Sequence, residues 1–493
     1  MNSQGFTAAI RFGLGPRPDQ PPPTDPQGWL LGQLAAADDP YPLPDGWDHL
    51  PSSADGFAVW RADRERTRAA QLAAAGRGAP GIAGGSAAPD IMSAGSMAGN
   101  GMAGGGMGTP PGNAMGGDMA GRPQPAQQSS MNSLQVFGSE RKAWMGRLIT
   151  TGQPFRERLV SFWLNHFTIS RRESQTGVFA GAFQREAIRP HLTGRFGDMV
   201  VAVTRHPAMI HYLNQNTSVG PNSSMGLRTK RGLNENLARE VMELHTLSTA
   251  ANYTQADVTE FARLLTGLGT EINRDPMGVV FRPNQHEPGS RTILGKTFGP
   301  GEASLDECLR WLADHPATHR HLAIKLARHF VADDPPRSAV AKLEGVLRDT
   351  GGDLGAVSRA LVTMEESWAA PLSKVRAPQD YVVACLRALG ANAGYGEFGV
   401  NSCTILNQPP WIAPQPNGWG DTAGDWVSPE GMLQRIDQAH GMTGRFSRLD
   451  SKAVIDTVLG PLARPETRNA VLRAGSNRDA LTLILGSPEF QRR

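Results

Sequence analysis

The stretch Asn234–Glu235–Asn236–Leu237–Ala238–Arg239–Glu240–Val241–Met242–Glu243–Leu244–His245 sets the class of the fold. At about 100° per residue, Leu237, Ala238, Val241, Met242 and Leu244 gather on one side of a helix. Glu235, Asn236, Arg239, Glu240 and Glu243 fall on the other. Asn234 is a good N-cap, and Glu235 beside it meets the positive end of the helix dipole. Glu235/Arg239 and Arg239/Glu243 stand four apart and can bridge. Asn236, Glu240 and Glu243 line a strip beside them. Facing solvent, that strip is a salt-bridged surface; facing a cleft, it is a site. His245 projects into the apolar arc, about 140° from Glu240, so the two do not share one metal. A core histidine held by a backbone carbonyl is the expectation.

The same helical reading extends outward. Helices are expected at Trp29–Ala36, Phe57–Ala75, Ser139–Thr150, Gln153–Ser170, Phe179–Thr193, Gly197–Thr204 and His206–Leu213. After the opening helix, Thr254 as N-cap with Asp257 three residues on resembles a capping box, and Val258, Phe261, Ala262 and Leu265 form the stripe behind it. Gly278–Arg282 and Arg291–Leu294 are the convincing β segments and are expected to pair as a small hairpin. Helices resume at Ser304–Ala313, Ala317–Val331, Ala339–Thr350, Leu354–Thr363 and Pro378–Leu389, followed by a long Trp/Pro/Gly loop over 401–431 and closing helices. The expected class is mainly α: a multi-helix globular domain with one small hairpin. No βαβ alternation, no GxGxxG after a strand and no Walker loop interrupts it.

Three parts follow from composition. Residues 1–75 read as a loop-rich helical N-terminal part, and 133–493 as the main helical domain. Between them, 76–132 is Gly, Ala, Met, Ser and Pro with almost no charge, too poor in apolar surface to offset the entropy of ordering. Its thioethers, Met92, Met97, Met102, Met107, Met115, Met119 and Met131, are soft donors suited to Cu(I). The plainer reading is a flexible linker in which Met is filler. A formal net charge of +3 gives no field that favours nucleic acid or anionic membrane. Cys308, Cys385 and Cys403 are scattered and odd in number, which gives neither a disulfide framework nor a metal spacing and fits a reducing compartment. The start, MNSQGFTAAIRFGLGPRPDQ, has no basic region followed by an apolar run, so no signal peptide is expected, and no stretch reads as a transmembrane helix.

Candidate chemistry is spread along the helices. Phe162–Trp163–Leu164–Asn165–His166–Phe167 is apolar nearly all round, so Asn165 and His166 need buried partners and either organise a site or pin two helices. His286–Glu287–Pro288–Gly289, with Lys296 after Gly295, puts acid–base groups on a loop. His321, Lys325 and His329 recur every four residues beside Arg328, a cationic stripe suited to an anion or to a carboxylate helix such as that of Glu240 and Glu243. Asn407–Gln408–Pro409–Pro410–Trp411 and Asn417–Gly418–Trp419–Gly420, ending near Trp426, place three tryptophans in one loop, either to stack on sugars or peptides or to pack over the helices. HExxH, GxSxG and CxxC are absent.

RFGLGPRP, FWLNHF, NENLAREVMELHTL, YTQADVTEFARLLTG, HEPGSRTILGK, HLAIKLARHFV, KVRAP and QPPWIAPQPNGWG, in that order, resemble the bacterial family known as domain of unknown function 1800. The resemblance covers nearly the whole chain apart from the Gly/Met insertion. It implies a mostly helical single fold, and, because members often look exported and are encoded beside alkaline-phosphatase-like proteins, a partner of that type and a role in the cell envelope. The chain departs in lacking a signal peptide and in carrying His286–Glu287 where the family usually has His-Asp.

Two functions compete. In the first, the motifs converge on a helical cleft: His166, Glu240, Glu243 and His286 act as ligands of a divalent metal or as acid–base groups, and Arg239 and Lys296 stabilise an anion. Metal-assisted hydrolysis or oxidation would fit. In the second, the buried polar groups are struts of a non-catalytic scaffold that recruits its partner through the Trp loop or the Gly/Met segment.

Overall fold

The computed structural model describes residues 3–44, 47–76, 131–171 and 174–493. Most of the Gly/Met stretch, and with it the copper expectation, lies outside the described residues. The chain is mainly helical, with two antiparallel sheets of two strands each among the described residues. One contiguous core runs from Ala8, Phe12, Leu30 and Phe57 to Leu485 and Phe490, so the N-terminal part shares its interior with the rest.

Local chemistry sets the helix starts. Helix α1 (Ser133–Thr150) opens on a reciprocal cap between Asn132 and Gln135, and α2 (Pro154–His166) opens on Pro154, whose fixed φ suits the first turn. Helix α3 (Asn236–Glu240) runs into a π-helical turn, Val241–His245; its N-cap is Glu235, with Asn234 Oδ1 accepting from the Asn236 N–H at 3.0 Å. In α4 (Gln255–Leu265), Thr254 and Asp257 cap each other as their spacing predicts. Helix α5 (Pro316–Phe330) and α6 (Pro378–Ala388) both begin on proline.

The strands pair differently from the expectation. Strand β1 (Leu268–Glu271) pairs with β2 (Gly278–Phe281), and β3 (Arg291–Ile293) with β4 (Lys296–Phe298). The segments expected to form one hairpin therefore belong to two. The turn between β3 and β4 explains why: Leu294 and Gly295 stand at φ 48° and 80°, the left-handed pair that a two-residue hairpin turn needs. Arg291–Ile293 thus finds its partner immediately downstream. Residues 407–422 form no strand or helix, while helix covers Gly396–Ile405, Ala423–Trp426 and Pro429–Thr443 around them.

Many buried charges are struts. Glu157 on α2 is fully buried; it accepts from Arg147 Nε at 2.6 Å and is clasped by Arg189 at 2.6 and 2.9 Å. The N-terminal Arg-Phe-Gly-Leu-Gly run is a clasp of the same kind. Arg11 donates to the Ser367 and Ala370 carbonyls, the Gly13 carbonyl accepts from Arg158, and the Gly15 carbonyl accepts from Arg387. Gly15 sits at φ +100°, where a side chain would be strained.

Candidate functional site

The face of α5 that carries His321, Lys325 and His329 meets three different environments. His321 Nε2 donates to the Leu244 carbonyl at 3.2 Å, and His166 Nε2, from the end of α2, donates to the His245 carbonyl at 3.1 Å. Both imidazoles thereby cap the carbonyl end of the π-helical turn, which otherwise leaves those acceptors unpaired. His245 lies beside them, with ring centres 6.3 Å from His166. Burial holds all three neutral: His321 is pushed down to about 4, His245 to about 3, and His166 well below its ordinary value, with the Lys325 charge adding to burial in each case.

One turn further along α5, the surroundings open into a cleft of about 350 Å³ between α2, α5, the start of α6 and the loop 407–422. The loop is fixed by a two-way amide clamp. Asn165 Nδ2 donates to the Trp419 carbonyl at 2.9 Å, and the Trp419 N–H donates to Asn165 Oδ1 at 2.8 Å. Gly418 makes this approach possible, since a Cβ there would stand 2.5 Å from the Asn165 carbonyl oxygen, and its φ is +79°. Trp144, Trp411 and Trp419 line the apolar side of the cleft.

The clamp delivers Asp421 to His329. His329 Nδ1 donates to Asp421 Oδ2 at 2.9 Å; its Nε2 is buried with no hydrogen-bond partner, and the residue forms part of the cleft wall. A carboxylate on Nδ1 leaves the lone pair on Nε2. Burial pushes His329 down to about 4 against the pull of Asp421, so the ring is neutral at pH 7. Burial works against ionised Asp421, but the His329 pairing, Arg493 and Lys374 outweigh it and hold the carboxyl well below the usual range. Arg493 reaches Asp421 Oδ1 at 3.3 Å, and Lys374 donates to the Asp421 carbonyl at 2.6 Å. Asp380, at the start of α6, is likewise held ionised: burial is overcome by Arg158 at 2.9 Å and Arg493 at 3.3 Å.

Lys325 lies between the imidazole cluster and this dyad. Its amine lines the cleft, and no carboxylate of the described residues stands within ion-pair distance. Burial, helped by Arg328 and opposed by Asp421, pushes it down to about 8.

The residues singled out from sequence do not assemble into one metal centre. Among the described residues, no three His, Cys, Asp or Glu form a group that could hold a metal ion. Each member of the expected set His166, Glu240, Glu243 and His286 has another setting. His286 is buried and spends both ring nitrogens on backbone: Nδ1 donates to the Thr266 carbonyl at 2.7 Å, and Nε2 accepts from the Gly301 N–H at 2.9 Å. The adjacent Glu287 accepts from Asn222, backbone at 2.9 Å and side chain at 2.6 Å. Glu240 and Glu243 are half-buried, and burial together with Glu243 raises Glu240. Neither makes an ion pair with α5, where His321 takes a carbonyl and His329 takes Asp421 instead. Arg239 bridges to Glu235 at 3.3 Å rather than to Glu243. Lys296 pairs with Glu307 at 3.0 Å and lies over the Phe298 ring. Of the six, His166 is the one that lines the cleft.

The match to the profile described as protein of unknown function DUF1800 runs over residues 7–492, nearly the entire chain. The chain belongs to the DUF1800 family. No curated protein and no solved structure matches it. The cleft is therefore read from this DUF1800 chain alone. Asp421, Asp380, Arg158 and Arg493 were not singled out by sequence reasoning. For Asp421 a signal existed: it directly follows Asn417–Gly418–Trp419–Gly420, and an acid on a glycine-bounded loop is a strong functional candidate. Asp380 and its two arginines lie far apart along the chain, and spacing could not have joined them.

Proposed function

We propose that this DUF1800 protein is an enzyme whose reactive centre is the cleft, with His329 as general base and Asp421 as the group that orients it. The observation that carries this reading is the 2.9 Å contact from His329 Nδ1 to Asp421, beside an Nε2 with no partner. An imidazole oriented by a carboxylate takes a proton from a water, a hydroxyl or an acidic C–H in the cleft. The tryptophan walls suit a substrate with a flat apolar face, and Lys325 and Arg158 put positive charge where negative charge develops. Hydrolysis needs the fewest groups: one water, His329 and the cationic side of the cleft. The four-residue metal set of the sequence reading plays no part in this scheme.

The test is turnover across a panel of carboxyl esters, phosphoesters, glycosides and carbonyl compounds with an acidic α-hydrogen. An activity that falls about 10²- to 10⁴-fold in His329→Gln, with the melting temperature kept, is the expected result. Turnover that survives both His329→Gln and Asp421→Asn overturns the reading.

A second reading, a scaffold for an alkaline-phosphatase-like partner, is favoured by a surface groove of about 430 Å³ near the C-terminal helices. Ile436 and Leu483 line it and are 43% and 42% exposed. Co-purification with such a protein that is lost in Ile436→Glu would support it; binding unaffected by that change would remove it.

A further inference from the structure

The seven lysines of the chain divide unevenly. Lys142 pairs with Glu397, Lys296 with Glu307, Lys342 with Glu366 and Lys374 with Asp333. Lys230 and Lys452 are exposed. Lys325 is neither: it is half-buried, faces a cleft, and has no carboxylate of the described residues within ion-pair distance. A surface charge or a strut does not need that placement. The chain supplies most of its positive charge as arginine, which cannot lose its proton, whereas a lysine can.

We propose that the Lys325 amine is a nucleophile that forms an imine with a carbonyl ligand bound in the cleft. Four features of the geometry support it. The amine is unpaired, so no salt bridge has to break before attack. The neighbouring imidazoles, His166 and His321, spend their Nε2–H on backbone carbonyls and do not supply a counter-charge. His329 stands one turn further along the same helix, and its neutral ring adds no positive charge beside the amine. Trp144, Trp411 and Trp419 wall the cleft and suit an aromatic or otherwise flat ligand.

The step balances without an oxidant. The ammonium first gives its charging proton to solvent. The nitrogen lone pair attacks the carbonyl carbon, C–N forms, and the carbonyl π bond collapses onto oxygen. The oxygen leaves as water with the two remaining amine protons, and C=N replaces C=O. The proposal rests on the cleft being the reactive centre, but its test needs no turnover.

The test is reductive trapping on the full chain with 4-formylbenzoate and cyanoborohydride at pH 7.5, followed by peptide mapping of all seven lysines. Lys325 should be modified at least about tenfold faster than exposed Lys230 and Lys452, because burial pushes its amine down to about 8 and so raises its neutral fraction. Its rate should rise through that range of pH. The groups that set the range are Arg328 and Asp421 on Lys325, with His166, His245, His321 and His329 neutral throughout it. Lys325→Arg should lose the fast site and keep the slow ones. Equal rates at Lys325, Lys230 and Lys452 overturn the proposal and leave the general-base reading standing. Fast trapping in a chain inactive on the substrate panel has the opposite consequence.

Discussion

Lowering the pH from 7 to 5 should destabilise the protein strongly, and the imidazoles set the size of the effect. Burial pushes His211, His321 and His329 down to about 4 and His245 to about 3. In the unfolded chain each titrates near 6.5. At pH 5 the unfolded chain therefore binds protons that the folded chain refuses. Stability then rises with pH: the loss begins as pH falls through about 6.5 and is complete below the folded values near 4. Each imidazole costs about 2 kcal/mol between pH 7 and pH 5. All four are still neutral in the folded protein at pH 5, so their contributions add to on the order of 7 kcal/mol. That is a large part of the 5–15 kcal/mol typical of a folded protein, roughly. Asp380 and Asp421 stay ionised across this window, since both are held far below the usual carboxylate range, and do not contribute. Thermal melts at fixed ionic strength read the effect as a drop of about 7 °C, since the unfolding entropy of a chain this long is roughly 1 kcal/mol/K. A change of less than about 2 °C would refute the reasoning, because the histidines would then be titrating as exposed groups do.

Two substitutions test the framework around the cleft. Glu157→Gln leaves Arg147 and Arg189 without their buried anion and should cost about 3–5 kcal/mol, read as a lowered melting temperature at pH 7. Gly418→Ala places a Cβ 2.5 Å from the Asn165 carbonyl oxygen at φ +79° and should cost about 1–3 kcal/mol. The loss falls on the loop, so limited proteolysis should cut within residues 406–422 while the helices stay protected; an unchanged cleavage pattern counts against the clamp.

Helix patterning carried most of the fold because it is local. The Thr254/Asp257 cap and the stripe of α4 depend on neighbours within a few residues, and they stand where their spacing put them. The strands were harder for the same reason. Gly278–Phe281 and Arg291–Ile293 are alike in pattern, and only the left-handed turn at Leu294–Gly295 decides that each has its own partner. The site was legible in pieces. The spacing of His321, Lys325 and His329 put them on one face, and the Lys325 and His329 end of that face lines the cleft. Their expected partner, the acidic strip of Glu240 and Glu243, was wrong because α5 meets the carbonyl end of the π-helical turn rather than its acidic side. Asp421 comes from a loop more than ninety residues downstream, and no periodicity reaches that far.

A buried histidine is most often a strut, and the proposed general base differs from the struts of this chain in what it is bonded to. His166, His286 and His321 each satisfy a backbone group, which fixes two pieces of chain, although His166 keeps its Nδ1 without a partner. Removing any of them would orphan a carbonyl or an N–H and cost stability. His329 is different in kind. Its Nδ1 lies 2.9 Å from a carboxylate and 3.4 Å from Arg493, and that carboxylate is also held by Arg493 and Lys374. Three other pieces of chain converge to hold that aspartate of the 407–422 loop: α5, Lys374 and Arg493. A fold does not require so many anchors to keep one imidazole neutral, because burial with nearby positive charge does that for His245. The arrangement makes sense as a means of fixing which nitrogen carries the lone pair and of keeping that nitrogen unpartnered beside the cleft, which is what a general base requires.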